Sequence, residues 1–178
     1  MSGCMTAPTR DVPPAVFYDW GACLFEGCTY QEWDVVKAAS AYNDRSESSG
    51  VAFTLEKGDK AQGVTGVVIT TKYGIVKVLE PIELGYSKEG SGSLSLKKGD
   101  VLYELHSVGE GNSSFWYKGG TYSDSLFESN ENPSAQETRL KVESCPETRW
   151  GVKVNNASGL EGWVDQPREV FGNMDRHS

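Results

Sequence analysis

Apolar residues recur at every second position through most of the hydrophobic stretches of this chain. Trp150, Val152 and Val154 share one parity, as do Val51, Phe53 and Leu55, and the residues between them are small or polar. A period of two is that of a strand burying one face. Between Trp150-Gly151-Val152-Lys153-Val154 and Leu160-Glu161-Gly162-Trp163-Val164 lies Asn155-Asn156-Ala157-Ser158-Gly159. Two Asn and a Gly tolerate positive φ, so the pattern predicts a tight hairpin. Glu56-Lys57-Gly58-Asp59 and Lys72-Tyr73-Gly74 read as further turns, the second leading to a strand at Ile75-Val76-Lys77-Val78-Leu79.

The pattern repeats. Leu94-Ser95-Leu96-Lys97-Lys98-Gly99-Asp100 aligns with Phe53-Thr54-Leu55-Glu56-Lys57-Gly58-Asp59, with Leu-x-Lys-Gly-Asp as the shared core and an offset of about forty residues. We therefore expect two small barrels in tandem. A tether and Cys-containing leader would take residues 1–33, a first barrel 34–84 and a second 93–175. Gly85 to Gly92, rich in Gly and Ser, would be the boundary loop. Val101 to Val108 and Phe115 to Gly119 would pair as a hairpin. A polar excursion at about 121–146 would interrupt the second barrel before the Trp150 strand closes it.

Composition supports an all-β class: 20 Gly and 7 Pro, with many Val, Thr, Tyr and Trp, favour short strands and turns over long helices. Acidic residues outnumber basic ones, 25 to 17, for a net charge of −8. That field repels phosphate backbones, and no Lys/Arg run with interleaved aromatics reverses it, so nucleic acid is not an expected partner. No apolar run reaches the roughly 18 residues that span a bilayer as a helix, leaving a lipid anchor as the one expected membrane contact.

The Trp150 to Val164 pattern of an aromatic-led strand, a short turn and Gly-Trp-Val resembles the end of a bacterial Src-homology-3-like barrel. Cys23, Phe25, Glu26, Cys28, Tyr30 and Trp33 resemble the leader of little-characterised bacterial envelope proteins with such barrels, Leu24 standing where that group has Pro. The resemblance implies an architecture and a cell-envelope setting, and brings no activity with it. Ser2-Gly3-Cys4 resembles the end of a bacterial lipobox, with Met1 where the motif wants an apolar residue, so Cys4 is the candidate lipidation site. Residues 5–14 have the composition of a tether.

Three chemistries are open to Cys23 and Cys28. Gly27 lets the chain turn so that their Cα atoms approach to roughly 5.5 Å, as a disulfide needs. A metal needs two more ligands, and Cys4, Cys145, His106 and His177 offer no second ligand-pair spacing. A redox pair normally has two intervening residues and a helix start, and neither is found. In an exported protein the disulfide is favoured. Cys145 would then be free if Cys4 is lipidated, or linked to Cys4 if it is not.

Sequence patterns for catalysis are sparse. Neither a Gly-x-Ser-x-Gly elbow nor a phosphate loop is found, His106 reads as a solvent-facing strand residue, and no cofactor or metal is expected. Aromatic residues are the better candidates, because barrels of this class present shallow grooves lined by ring faces. Tyr42, Tyr103, Trp116, Tyr117 and Tyr122 are the candidate ligand-binding residues, while Trp150 and Trp163 are expected in the core. Alternation in Phe115-Trp116-Tyr117 places Trp116 on the face opposite its neighbours. The expected function is non-catalytic binding or scaffolding in the cell envelope, with a peptide, a peptidoglycan fragment or an envelope protein as partner. The alternative is a cell-wall hydrolase or its accessory, with chemistry in the inserted loop.

Overall fold

A computed structural model of the chain describes residues 12–87, 90–109, 111–124 and 139–175. The protein is all-β. The described strands are β1 (Phe17–Trp20), β2 (Glu32–Val35), β3 (Ala39–Tyr42), β4 (Val51–Leu55) and the long β5 (Lys60–Lys72). There follow β6 (Gly74–Val78), β7 (Ile82–Ser87), β8 (Gly90–Leu96), β9 (Val101–Gly109), β10 (Asn112–Tyr117) and β11 (Gly120–Asp124). After them come β12 (Leu140–Ser144), β13 (Glu147–Asn155), β14 (Glu161–Asp165), the single helical turn α1 (Pro167–Val170) and β15 (Phe171–Gly172). No helix among the described residues is long and apolar enough to cross a membrane.

The chain divides into two compact units. Tyr18–Thr71, Val108–Glu110 and Thr148–Ser178 form a flanking unit; Lys72–Ser107 and Gly111–Glu147, with the stretch ending at Phe17, form a central one. The units are nested in sequence, where the repeat led us to expect barrels one after the other. The hairpin β13–β14 pairs in the sheet that holds β2 to β5, so it completes the first half of the repeat and not the second. The leader is not a separate segment: Cys23, Leu24, Phe25, Cys28 and Tyr30 pack against the core of the flanking unit. The expected boundary at Gly85 to Gly92 falls in the β7–β8 hairpin. Of the expected excursion, residues 125–138 lie outside the described residues, while its two ends are strands β11 and β12.

The sheets have one topology. The flanking sheet runs β15-β2-β5-β13-β14-β3-β4, with β1 added on β5, and the central sheet runs β12-β6-β9-β10-β11-β7-β8. Numbered by appearance within its own sheet, β1 aside, each reads seventh, first, fourth, fifth, sixth, second, third. The Leu-x-Lys-Gly-Asp turns show why. In each, Gly has a φ that only Gly adopts freely, +99° at Gly58 and +93° at Gly99. The Asp carboxylate accepts the backbone N–H three residues earlier, from Glu56 at 2.8 Å and from Lys97 at 3.0 Å. Gly58 donates its N–H to the Val35 carbonyl and Val35 donates to Asp59; Gly99 and Val78, then Val78 and Asp100, do the same, all at 2.9 Å. One short motif thus fastens the fourth strand of each sheet to the first.

Two cores result. In the flanking unit Trp33, Leu55, Val152, Val154, Val164 and Phe171 are buried with Trp150, whose ring meets Phe25 edge-on at 6.3 Å. Gly162 lets β14 approach β3: a Cβ there would lie 2.7 Å from that of Ala41. In the central unit Val76, Leu84, Leu102, Phe115 and Leu140 form the core. Each such side chain, fully buried, contributes about 1.5–3 kcal/mol.

Candidate functional site

The outer face of the flanking sheet carries the exposed aromatic surface. Parity decides it: on β14, Gly162 and Val164 point inward, so Trp163 points out, against our expectation that it joins the core. Trp150 does join the core. Trp163 lies opposite Tyr42 of β3 in the strand register, and opposite Lys153 of β13 on the other side. On β1 the buried residue is Asp19, which leaves Tyr18 and Trp20 outward, 45% and 57% exposed. Their rings lie nearly parallel, with centroids 6.4 Å apart, and Trp20 meets Trp163 edge-on at 6.2 Å.

Ions frame these rings. Arg45, on the loop between β3 and β4, places its guanidinium 5.2 Å from the Tyr18 ring and 4.9 Å from the Trp20 ring, and lies 3.9 Å from Asp44. The loop holds its shape through the Asn43 side chain, whose amide donates to the carbonyls of Ser49 and Gly50. Arg149 pairs with Asp165, and Lys153 pairs with Glu161 at 3.2 Å while its ammonium lies 5.9 Å from the Trp163 ring. Tyr42, Asp44, Arg45, Val67, Ile69, Arg149, Gly151, Trp163 and Asp165 line one depression here, with a cavity of about 30 Å³. That holds about one water, so what this surface offers a ligand is ring faces and ion pairs over a shallow groove.

Of the residues picked from the sequence, Tyr42 lies in this groove. The other four belong to the central unit. Trp116 does face away from Phe115, but it is only 5% exposed, with Tyr103 edge-on to it at 5.9 Å and Tyr73 edge-on to Tyr103 at 6.1 Å. Tyr122 stacks on Phe115 at 5.7 Å, and both Tyr122 and Tyr117 pack against the core. Tyr117 donates its hydroxyl to Asp100 at 2.8 Å. Burial pushes the Tyr117 phenol up, as does the Asp100 carboxylate. Burial also pushes Asp100 up, but the Lys97 amide and the Tyr117 hydroxyl outweigh it and its carboxyl lies below the ordinary value of 3.8. Trp116, Tyr122, Leu94 and Phe17 do line an open depression in this unit, with Thr121, Ser93 and three Gly.

The cysteines divide. Cys23 and Cys28 form a disulfide with Cα atoms 5.6 Å apart, closing a loop that presents Phe25 to Trp150. Arg168 of α1 covers the other side of Phe25, 4.9 Å from its ring, and donates to the Leu24 carbonyl at 2.8 Å. Cys145 is a free, exposed thiol, and Cys4 lies outside the described residues. His106, expected to face solvent, is buried, with Nδ1 3.0 Å from the Ser107 carbonyl. Among the described residues no three His, Cys, Asp or Glu side chains gather as a metal would require.

Sequence reasoning missed Tyr18, Trp20 and Arg45. The alternation Tyr18-Asp19-Trp20 was the available signal for the two rings, and the assignment of residues 1–33 to a tether and leader outside the barrels hid it. Comparison with protein-family models, curated proteins and solved structures gives no match.

Proposed function

We propose that this chain is a non-catalytic binding or scaffolding protein of the cell envelope, built from two Src-homology-3-like barrels of which one is inserted in the other. Its ligand, a peptide or a peptide-bearing wall fragment, docks in the groove of the flanking unit. The observation that carries this reading is the outward-facing set of exposed Tyr18 and Trp20 with half-buried Tyr42 and Trp163, assembled from three strands and framed by paired ions. Large rings that could have been placed inward are displayed outward, and ring faces beside satisfied ion pairs are the composition of a peptide-docking surface. The shared strand order and the duplicated turn support the two-barrel reading. The Cys23–Cys28 disulfide supports an oxidising compartment, and the lipobox-like Ser2-Gly3-Cys4 supports attachment to a membrane by a lipid on Cys4.

The test uses the full chain immobilised beside a Tyr42→Ala/Trp163→Ala variant. Purified muropeptides and a library of capped octapeptides are passed over both, and retained material is quantified by mass spectrometry. Retention by the wild type and a loss of about tenfold or more in the variant are expected, since central aromatic anchors carry most of such binding. Equal retention on the two surfaces, or none on the wild type, overturns the reading.

A further inference from the structure

We propose that the parallel rings of Tyr18 and Trp20 form a cation subsite of the groove, that Arg45 is its internal occupant, and that the docking segment of the ligand carries an Arg or Lys which takes Arg45's place. This rests on the groove reading above. The chemistry of the occupant is displayed by the protein itself: a guanidinium lies about 5 Å from both ring centroids, within the range over which the π face attracts a cation. Besides Arg45, Trp20 meets the edge of Trp163 at 6.2 Å. Tyr18 and Trp20 come from a four-residue strand in which Asp19 is the residue that packs inward, and they remain about half exposed with Arg45 in position.

Arg45 is fit to leave. It stands on a loop of eight residues between β3 and β4, its ion-pair partner among the described residues is Asp44 at 3.9 Å, and a pair whose carboxylate is so open to solvent is weak. Arg149 and Lys153, by contrast, are each tied to a carboxylate on the neighbouring strand. When Arg45 swings out, the aromatic pair and the Asp44 carboxylate together face the groove, a better match for a positively charged side chain than for a neutral or anionic one. The overall charge of −8 favours approach of such a segment at long range. Displacement of one cation by another leaves the charge of the subsite unchanged, and the ligand's remaining contacts along Tyr42 and Trp163 decide the exchange in its favour.

The experiment uses three capped octapeptides of Ala, Pro and Gly that differ at one central position: Arg, Lys or citrulline, the uncharged counterpart of Arg. Affinity is measured by titration against the full chain, with the indole N–H resonances of Trp20 and Trp163 as reporters. The Arg and Lys peptides should bind about tenfold more tightly than the citrulline peptide and move the Trp20 signal. Arg45→Ala, which empties the subsite, should tighten the Arg peptide several-fold, and Trp20→Ala should erase the advantage of charge. If the citrulline peptide binds as well as the Arg peptide and moves Trp163, the groove stands and the cation subsite falls. If none of the three binds the wild type, the proposal falls as well, and the retention test on Tyr42→Ala/Trp163→Ala decides the groove by itself.

Discussion

Asp59 and Asp100 occupy one position in a duplicated turn, and their removal should cost very different amounts. The Asp100 carboxylate accepts the Lys97 amide and the Tyr117 hydroxyl and is nearly buried. Asp59 accepts the Glu56 amide from an exposed position. Bonds to an ionised acceptor are worth about 1.5–3 kcal/mol each where water cannot replace them, so Asp100→Ala should destabilise the central unit by about 3–5 kcal/mol. In Asp59→Ala the freed amide turns to water, and the loss should be nearer 1 kcal/mol. Urea unfolding followed by ¹⁹F NMR on fluorotryptophan-labelled protein separates the effects, because Trp116 belongs to the central unit and Trp33 to the flanking one. A double-mutant cycle of Asp100→Ala with Tyr117→Phe should return a coupling of about 1–2 kcal/mol. Equal losses from the two alanine variants, or a coupling of zero, would refute the claim that burial and the Tyr117 bond set the difference.

Three further outcomes are expected. Trp150→Ala should cost about 3–5 kcal/mol in thermal or urea unfolding, and Trp163→Ala less than about 1.5, because the two rings lie on opposite faces of one sheet. Stability against pH should fall at both ends. Asp100, held below 3.8, contributes stability that is complete above that pH and is lost as pH drops through its folded value; Tyr117, raised above 10.0, contributes stability that is lost as pH rises past 10. Both limbs should flatten in Asp100→Asn, measured by the Trp116 signal across pH. Thiol labelling of the unreduced protein should modify Cys145 and leave Cys23 and Cys28 untouched, and Cys23→Ser/Cys28→Ser should lower stability by about 2 kcal/mol on the chain-entropy estimate for so small a loop.

Strands, turns and the internal repeat were legible because each is written in local terms. Alternation marks Val51 to Leu55 and Trp150 to Val154, and Gly at a fixed place marks both Lys-Gly-Asp turns. Pairing across the chain was not legible. Nothing in the residues of β13 says that its partner is β5, about seventy-five residues earlier, and not β10, its own recent predecessor. The site suffered from the same gap. Tyr42 was found as a groove candidate of the resembled barrel class, but Trp163 was read inward although its parity on β14 is opposite to that of Gly162 and Val164. The Cys-containing leader was read as an appendage because its segment alternates for only four residues before Gly21. What makes Tyr18 and Trp20 a surface is Trp163 and Arg45, which are distant in sequence.

The nesting of one unit inside the other also sets an order of events as the chain leaves the ribosome. β13, β14 and β15 are made last, so the flanking sheet cannot be completed until the whole central stretch has been synthesised. The central sheet, from β6 to β12, is continuous in sequence and can form first. Its folding brings together Lys72, the last residue of β5, and Glu147, the first of β13, which form an ion pair of 3.1 Å. A closure that would otherwise join segments about seventy-five residues apart then spans a gap of a few ångströms, and most of its entropic cost has been met before the last hairpin arrives.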